Sequence, residues 1–183
     1  LFIEAYLELL RESPRVPTAT QVAERAGYSV RSIFDHFGDL RTLILAAVAY
    51  ADALASAEPM APHVEGDRLS RVRSHVAARA RTCERWFPLW RVVISDQVEL
   101  TDLEDLIDQE RLSRVEELKL TYRPELSTLP YTECRQILIA LETLTDFENW
   151  ARMRERHRLS VEAARGVWIV AIDRILPLTP LAS

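Results

Sequence analysis

Thr18-Ala-Thr-Gln21-Val22-Ala23-Glu24-Arg25-Ala26-Gly27-Tyr28-Ser29-Val30-Arg31-Ser32-Ile33-Phe34-Asp35-His36-Phe37-Gly38-Asp39 is the stretch that decides how this chain is read. Thr18 followed three residues later by Gln21 is a capping box, which satisfies two orphan N–H groups at a helix start. Gly27 suits the positive-φ residue that ends that helix. Ser29 is the next N-cap, Val30 to Phe37 the next helix, and Gly38 its end. Asp39 caps a fourth helix, which runs through Leu43, Ala47 and Tyr50 to about Ala57. Upstream, residues 1–12 place Phe2, Ile3, Tyr6, Leu9 and Leu10 on one face at helical spacing. The result is three short helices within the first 37 residues, the second and third joined by Gly27-Tyr28-Ser29. Such a turn sets two short helices at a steep angle. One can enter the DNA major groove while the other braces it across the backbone.

A recognition helix needs small or polar residues at its exposed N-terminal end and apolar anchors beneath. Ser29, Arg31, Ser32, Asp35 and His36 fit the outer role, and Ile33 and Phe37, at i and i+4, the inner one. From Thr18 to Leu43 the chain resembles the N-terminal domain of the tetracycline-repressor (TetR) family. The pattern is Thr18, Val22-Ala23, Ala26-Gly27-Tyr28-Ser29, then Ser32-Ile33-Phe34-Asp35-His36-Phe37 and the downstream Leu43. The resemblance implies DNA contacts from Thr18, Ser29, Arg31, Ser32, Phe34, His36 and Arg41. Two positions depart from the family pattern. Phe34 stands where a tyrosine hydroxyl usually reaches a phosphate, and Leu40 stands where a lysine is usual, with Arg41 next to it as a substitute. Thr18 and Ser29 are caps whether or not they touch DNA. His36 is either a DNA contact or a polar residue closing the helix end.

Pro59-Met60-Ala61-Pro62 reads as a boundary. Beyond it the spacing predicts helices at roughly 67–85, 87–95, 102–122, 131–157 and 160–176, with prolines as punctuation. That makes about nine helices and an all-α fold. The expected domains are 1–47, a helix-turn-helix DNA-binding domain, and 48–183, for ligand binding and dimerisation. We expect native residues to precede Leu1, a sensible place for further basic contacts. Gly166-Val-Trp168-Ile-Val-Ala-Ile172 is apolar around its whole circumference, so both sides need cover. One side can be the core and the other a partner subunit. A homodimer is expected, with Leu141, Trp168 and Ile172 at its interface. Trp150, the Leu159-to-Ala164 segment and the long apolar last helix resemble the family's regulatory domain.

The aromatic residues Trp86, Trp90, Phe147 and Trp150 are candidates to line a cavity for a small-molecule effector, against the alternative of ordinary core. Residues 68–91 hold seven arginines and one acid, and residues 96–110 hold seven acids and no base. The plain reading is solvated faces that pair with one another. The sharper one is an anion site for a carboxylate-bearing ligand. Arg152, Arg154, Arg156 and Arg158 complement the dipole at a helix end.

Composition excludes several classes. The chain has 183 residues and 4 glycines, no two closer than eleven residues. Dinucleotide fingerprints, phosphate-cradling loops and the Gly-x-Ser-x-Gly elbow all need closer glycines, because only a chain without Cβ lets backbone N–H groups crowd a ligand. The longest apolar run, Leu43 to Ala51, is far short of the ~18 residues of a membrane span. Leu1 to Leu10 carries Glu4 and Glu8 and no base, unlike a signal peptide. Cys83 and Cys134 form neither a disulfide framework nor a zinc site. His36, His63, His75 and His157 are scattered, without His-Glu-x-x-His or Glu-x-x-His spacing. We therefore expect no catalytic site, metal or cofactor, and a cytoplasmic location. The resemblance implies a transcriptional regulator, most simply a repressor released from double-stranded operator DNA by an effector. The competing class is a helical small-molecule-binding protein or enzyme with no DNA role. The net charge of −5, with five arginines against six acids in residues 1–47, leaves little general attraction for phosphate.

Overall fold

The computed structural model describes residues 1–13, 15–57, 66–92 and 104–180. Every regular element among them is helical. In chain order they are α1 (Phe2–Glu12), α2 (Ala19–Ala26), α3 (Val30–Phe37), α4 (Leu40–Ala57), α5 (Arg68–Val92), α6 (Glu104–Thr121), α7 (Arg123–Leu126), α8 (Tyr131–Leu144) and α9 (Phe147–Ala151). A π-helical turn over Arg152–Arg156 follows, and then α10 (Val161–Ile175). The chain divides into two compact units, one of Leu1–Pro59 with Arg85–Asp108, the other of Met60–Glu84 with Gln109–Ser183.

In the first unit, α1 packs on α2 and α4, and α3 packs on α2 and α4. Tyr6, Leu10, Val22, Ala23, Ile33, Leu43, Ile44 and Ala47 are buried, one or more from each helix. The second unit is built around Trp150 and Trp168, whose ring centroids lie 4.7 Å apart. Val72, Val76, Cys83, Leu118, Tyr122, Leu138, Leu141 and Ile172 surround them. The Trp150 indole N–H donates to Glu84 Oε1 at 2.8 Å, so the aromatic body is dry while its polar edge is satisfied.

Four expected helices come out differently. The segments at 67–85 and 87–95 form one helix through Pro88. Trp86, Leu89 and Val92 are buried on both sides of the proline, and that burial offsets the lost backbone hydrogen bond. The segment at 102–122 continues after Tyr122 as the short α7, with Pro124 in its first turn, where a missing N–H is harmless. The segment at 131–157 breaks after Leu144. The Thr145 hydroxyl turns back to the Leu141 carbonyl at 2.8 Å, and Asp146 restarts the helix by accepting from the Asn149 N–H at 2.6 Å. The chain then widens into the π turn, closed by the His157 N–H on the Arg152 carbonyl at 3.1 Å.

Candidate nucleic-acid interface

The caps read from the sequence set the geometry of α2 and α3. The Gln21 N–H donates to Thr18 Oγ1 at 3.3 Å, and Gln21 Oε1 accepts from the Thr18 N–H at 2.9 Å, which completes the capping box. Gly27 adopts φ 75° and ψ 30°, and its N–H reaches the carbonyls of α2. Ser29 Oγ accepts from the Ser32 N–H at 3.2 Å and lies 2.9 Å from the Ser32 hydroxyl. α4 starts at Asp39, whose Oδ1 accepts from the Thr42 N–H at 2.7 Å. That bond holds the Asp39 carboxyl below the usual carboxylate range.

On α3, Ile33 is fully buried and Val30 and Phe37 are half-buried. At about 100° per residue, Arg31 and Asp35 face directly away from that inner side. The Arg31 side chain is 88% exposed, and its Nε lies 3.6 Å from Asp35 Oδ2. A contact this long and open to solvent leaves the guanidinium able to reach another partner. His36 is exposed, and its ring packs edge-on against Phe37 with centroids 4.6 Å apart and lies tilted to Phe2 at 6.4 Å. Phe34 is exposed, Ser32 half-buried, Thr18 and Ser29 exposed, and Arg41 half-buried at the start of α4. α3 and the turn before it thus present a mixed outer surface, with the aromatic rings of Tyr28 and Phe34 beside polar side chains and the single arginine Arg31. Arg25 is committed elsewhere, its two terminal nitrogens hydrogen-bonded to the Glu12 carboxylate of α1 at 2.9 and 2.6 Å.

The expected effector residues fall in different surroundings. Trp86 is buried and Trp90 half-buried, both in the first unit. Phe147 and Trp150 are in the second, Phe147 half-buried with the Arg79 guanidinium carbon 4.7 Å from its ring centroid. Trp150 is fully buried in the second unit's core, with Trp168 packed against its ring and Glu84 accepting from its nitrogen.

The expected dimer residues Leu141, Trp168 and Ile172 are each buried within a single protomer. The all-round apolar helix has an outer side nonetheless. α8 and α10 pack together, and Ile139 on α8 with Val167 and Val170 on α10 remain exposed.

The sequence reading missed a line of buried polar residues on α5. Arg71, His75 and Arg79 recur every four residues beside the apolar stripe Val72, Val76, Ala80 and Cys83, and all seven are buried. His75 Nδ1 lies 2.7 Å from the Tyr122 hydroxyl. Arg71 pairs with the fully buried Glu125, which also accepts from the Thr179 hydroxyl at 2.5 Å. Arg68 binds the carboxylate of Asp173 at 2.8 Å and the backbone carbonyls of Asp173 and Pro177. The fourfold spacing was the available signal. Arg79 pairs with Glu110, from the acidic stretch 96–110 that the sequence set against these arginines, whereas the carboxylate partners of Arg71 and Arg68, 54 and 105 positions away, had no such sign. Among the described residues no group of His, Cys, Asp and Glu is placed to hold a metal ion, and no helix is long and apolar enough to cross a membrane.

No protein-family model and no curated protein matches this chain. Solved structures do share its fold. A transcriptional regulator from Rhodococcus sp. Rha1 aligns with a TM-score of 0.70 at 15% identity, over 98% of this chain and 97% of its own. A protein described as a TetR-family transcriptional regulator, from Rhodococcus sp., aligns with a TM-score of 0.58 at 19% identity, over 96% of each chain. The all-α fold is therefore shared with these two structures along nearly the whole chain.

Proposed function

We propose that this protein is a TetR-family transcriptional regulator that binds double-stranded operator DNA and is released from it by a small-molecule effector, acting as a repressor. The observation that carries this reading is the α2–turn–α3 unit. Its recognition helix is capped by Ser29, anchored by Ile33 and bare on the side that bears Arg31. Arg31, Ser32 and His36 read base edges in the major groove. Thr18, Ser29 and Arg41 contact phosphates, and Phe34 packs at the margin. Residues 1–47 serve as the DNA-binding domain and 48–183 as the effector and dimerisation domain. The effector lies beside Phe147 and Trp150, in the second unit. It acts through α4, the long helix that follows the recognition helix. Two copies associate through the exposed faces of α8 and α10, because a dimer reads two half-sites about one helical turn apart, ~34 Å, or a multiple of it. No catalytic step or cofactor is assigned, and the setting is the cytoplasm.

The test is a gel shift of the full-length protein with its own upstream intergenic DNA at several salt concentrations. A sequence-selective shift that weakens steeply with salt supports the regulator. Absence of any selective shift, with effector-like molecules still bound, favours a helical binding protein without a DNA role.

A further inference from the structure

The second unit contains a charged cluster whose own packing leaves it unsatisfied. Arg79 on α5 is 7% exposed. Its Nε donates to the Thr145 carbonyl at 2.8 Å and its Nη1 to Glu110 Oε1 at 3.3 Å. Its Nη2 is buried with no hydrogen-bond partner. On α6 the Arg114 side chain is 12% exposed, and its Nη2 lies 2.8 Å from Glu110 Oε2 and 3.2 Å from Glu142 Oε1. Its Nε and Nη1 are buried without partners. Burial, and after it the neighbouring Arg79 charge, pulls the Arg114 pKa down. Guanidinium donors withdrawn from water are normally all paired, and exceptions call for an explanation.

The acidic neighbours do not supply the missing acceptor. Glu110 is shared between the two arginines. Glu142 serves Arg114 and faces Arg111 Nε at 3.7 Å. Asp146 caps α9 through the Asn149 N–H. Burial pushes the Glu117 carboxyl upward, toward its neutral form.

We propose that Arg79 and Arg114 form a binding site for the carboxylate of a small organic acid, with Phe147 beneath its apolar body. This rests on the effector reading above and gives the effector a chemical class. A carboxylate offers about four lone-pair sites on two oxygens, so it satisfies several guanidinium donors at once. Glu110 and Glu142 already offset much of the positive charge, which favours a monoanion over a phosphate dianion. The three unpartnered nitrogens are shielded from solvent. The acid therefore enters by parting α5, α6 and α8, and it prefers that altered arrangement. Such differential affinity is what a ligand needs to shift a conformational equilibrium.

The test is thermal unfolding of the full chain with phenylacetate and octanoate, compared with phenylacetamide and octanamide at matched ionic strength. Either acid, at about 100 times its dissociation constant, should raise the melting temperature by roughly 5–10 °C, and the amides should not. Arg114→Met should lose that response, measured against the variant's own melting temperature without ligand. If Arg114→Met does not fold, Arg114→Lys decides, and it should fold and lose most of the response. Lack of stabilisation by both acids, equal stabilisation by the amides, or a response retained in both variants overturns the proposal. A gel shift separates this from the regulator reading. Stabilisation without DNA release keeps the site and rejects the effector role, while DNA binding without stabilisation by acids rejects the site alone.

Discussion

At the scale of single residues, Arg31 carries the sharpest prediction. Its side chain is exposed and held only loosely by Asp35. An arginine bidentate to guanine contributes ~1–3 kcal/mol of discrimination against the wrong base. Arg31→Ala should therefore broaden the sequence preference, not merely weaken binding. Selection from random DNA measures this, and an unchanged preferred site removes Arg31 from the reading role. Cys83 makes a prediction about pH. Burial pushes its thiol from 9.0 up to about 11. The folded state thus disfavours the thiolate relative to the unfolded chain. Stability from this group is intact below pH 9 and is lost as pH rises toward 11, by roughly 3 kcal/mol at most. Urea unfolding of Cys83→Ala alongside the parent should show a flatter fall over that interval. A parallel fall in both would place the alkaline sensitivity elsewhere.

At the scale of elements, the joint between α2 and α3 rests on one backbone conformation. Gly27 has φ 75°, and a Cβ built there would meet nothing within 4 Å. Gly27→Ala should therefore destabilise by the left-handed backbone term alone, about 1–2 kcal/mol, with no clash added. Gly27→Asn should be milder, since asparagine tolerates that region. Denaturant midpoints of the two variants check the order, and an alanine variant as stable as the parent would deny the glycine its role. The caps and ends of α2 and α3 were legible because they depend on residues no more than four positions apart. The path of α5 through Pro88 was not, since proline breaks helices locally and only distant burial outweighs it. The break at Thr145 and Asp146 was equally hidden. Both residues also occur inside helices, and only the fold shows which way their oxygens turn.

At the scale of the whole molecule, assembly and switching are linked. If α8 and α10 pair with their symmetry mates, the interface should bury upwards of ~2,000 Å² in total. Val170 is 54% exposed and Trp168 is 0% exposed, two residues apart on the same helix. Val170→Arg should thus dissociate the dimer and leave a folded helical protomer, whereas Trp168→Arg should unfold it. Sedimentation and circular dichroism separate the two outcomes, and a wild-type protein that sediments as a monomer at micromolar concentration defeats the assembly. Coupling between effector and operator is typically ~1–3 kcal/mol, a 5–150-fold change in affinity, and linkage makes it reciprocal. Tryptophan fluorescence titration of a candidate effector with and without operator measures it. Equal dissociation constants in both titrations mean that the molecule is no effector.

The sequence determined the helical class along the chain and the helix-turn-helix of residues 18–43, because caps, a left-handed glycine and helical apolar spacing are short-range facts that the chain states in order. The same stretch named the outward residues of α3, since one buried anchor, Ile33, orients the whole helix. The sequence also showed that α10 is apolar on every side. Tertiary structure alone decided which side is inside. It put Leu141, Trp150, Trp168 and Ile172 in the core and left Ile139, Val167 and Val170 outside. It alone brought Arg79, Arg114, Glu110 and Glu142 together from three helices. Hydrophobicity tells a residue to seek cover but not where that cover comes from. A charge finds its partner only once the backbone has brought the two together across tens of residues.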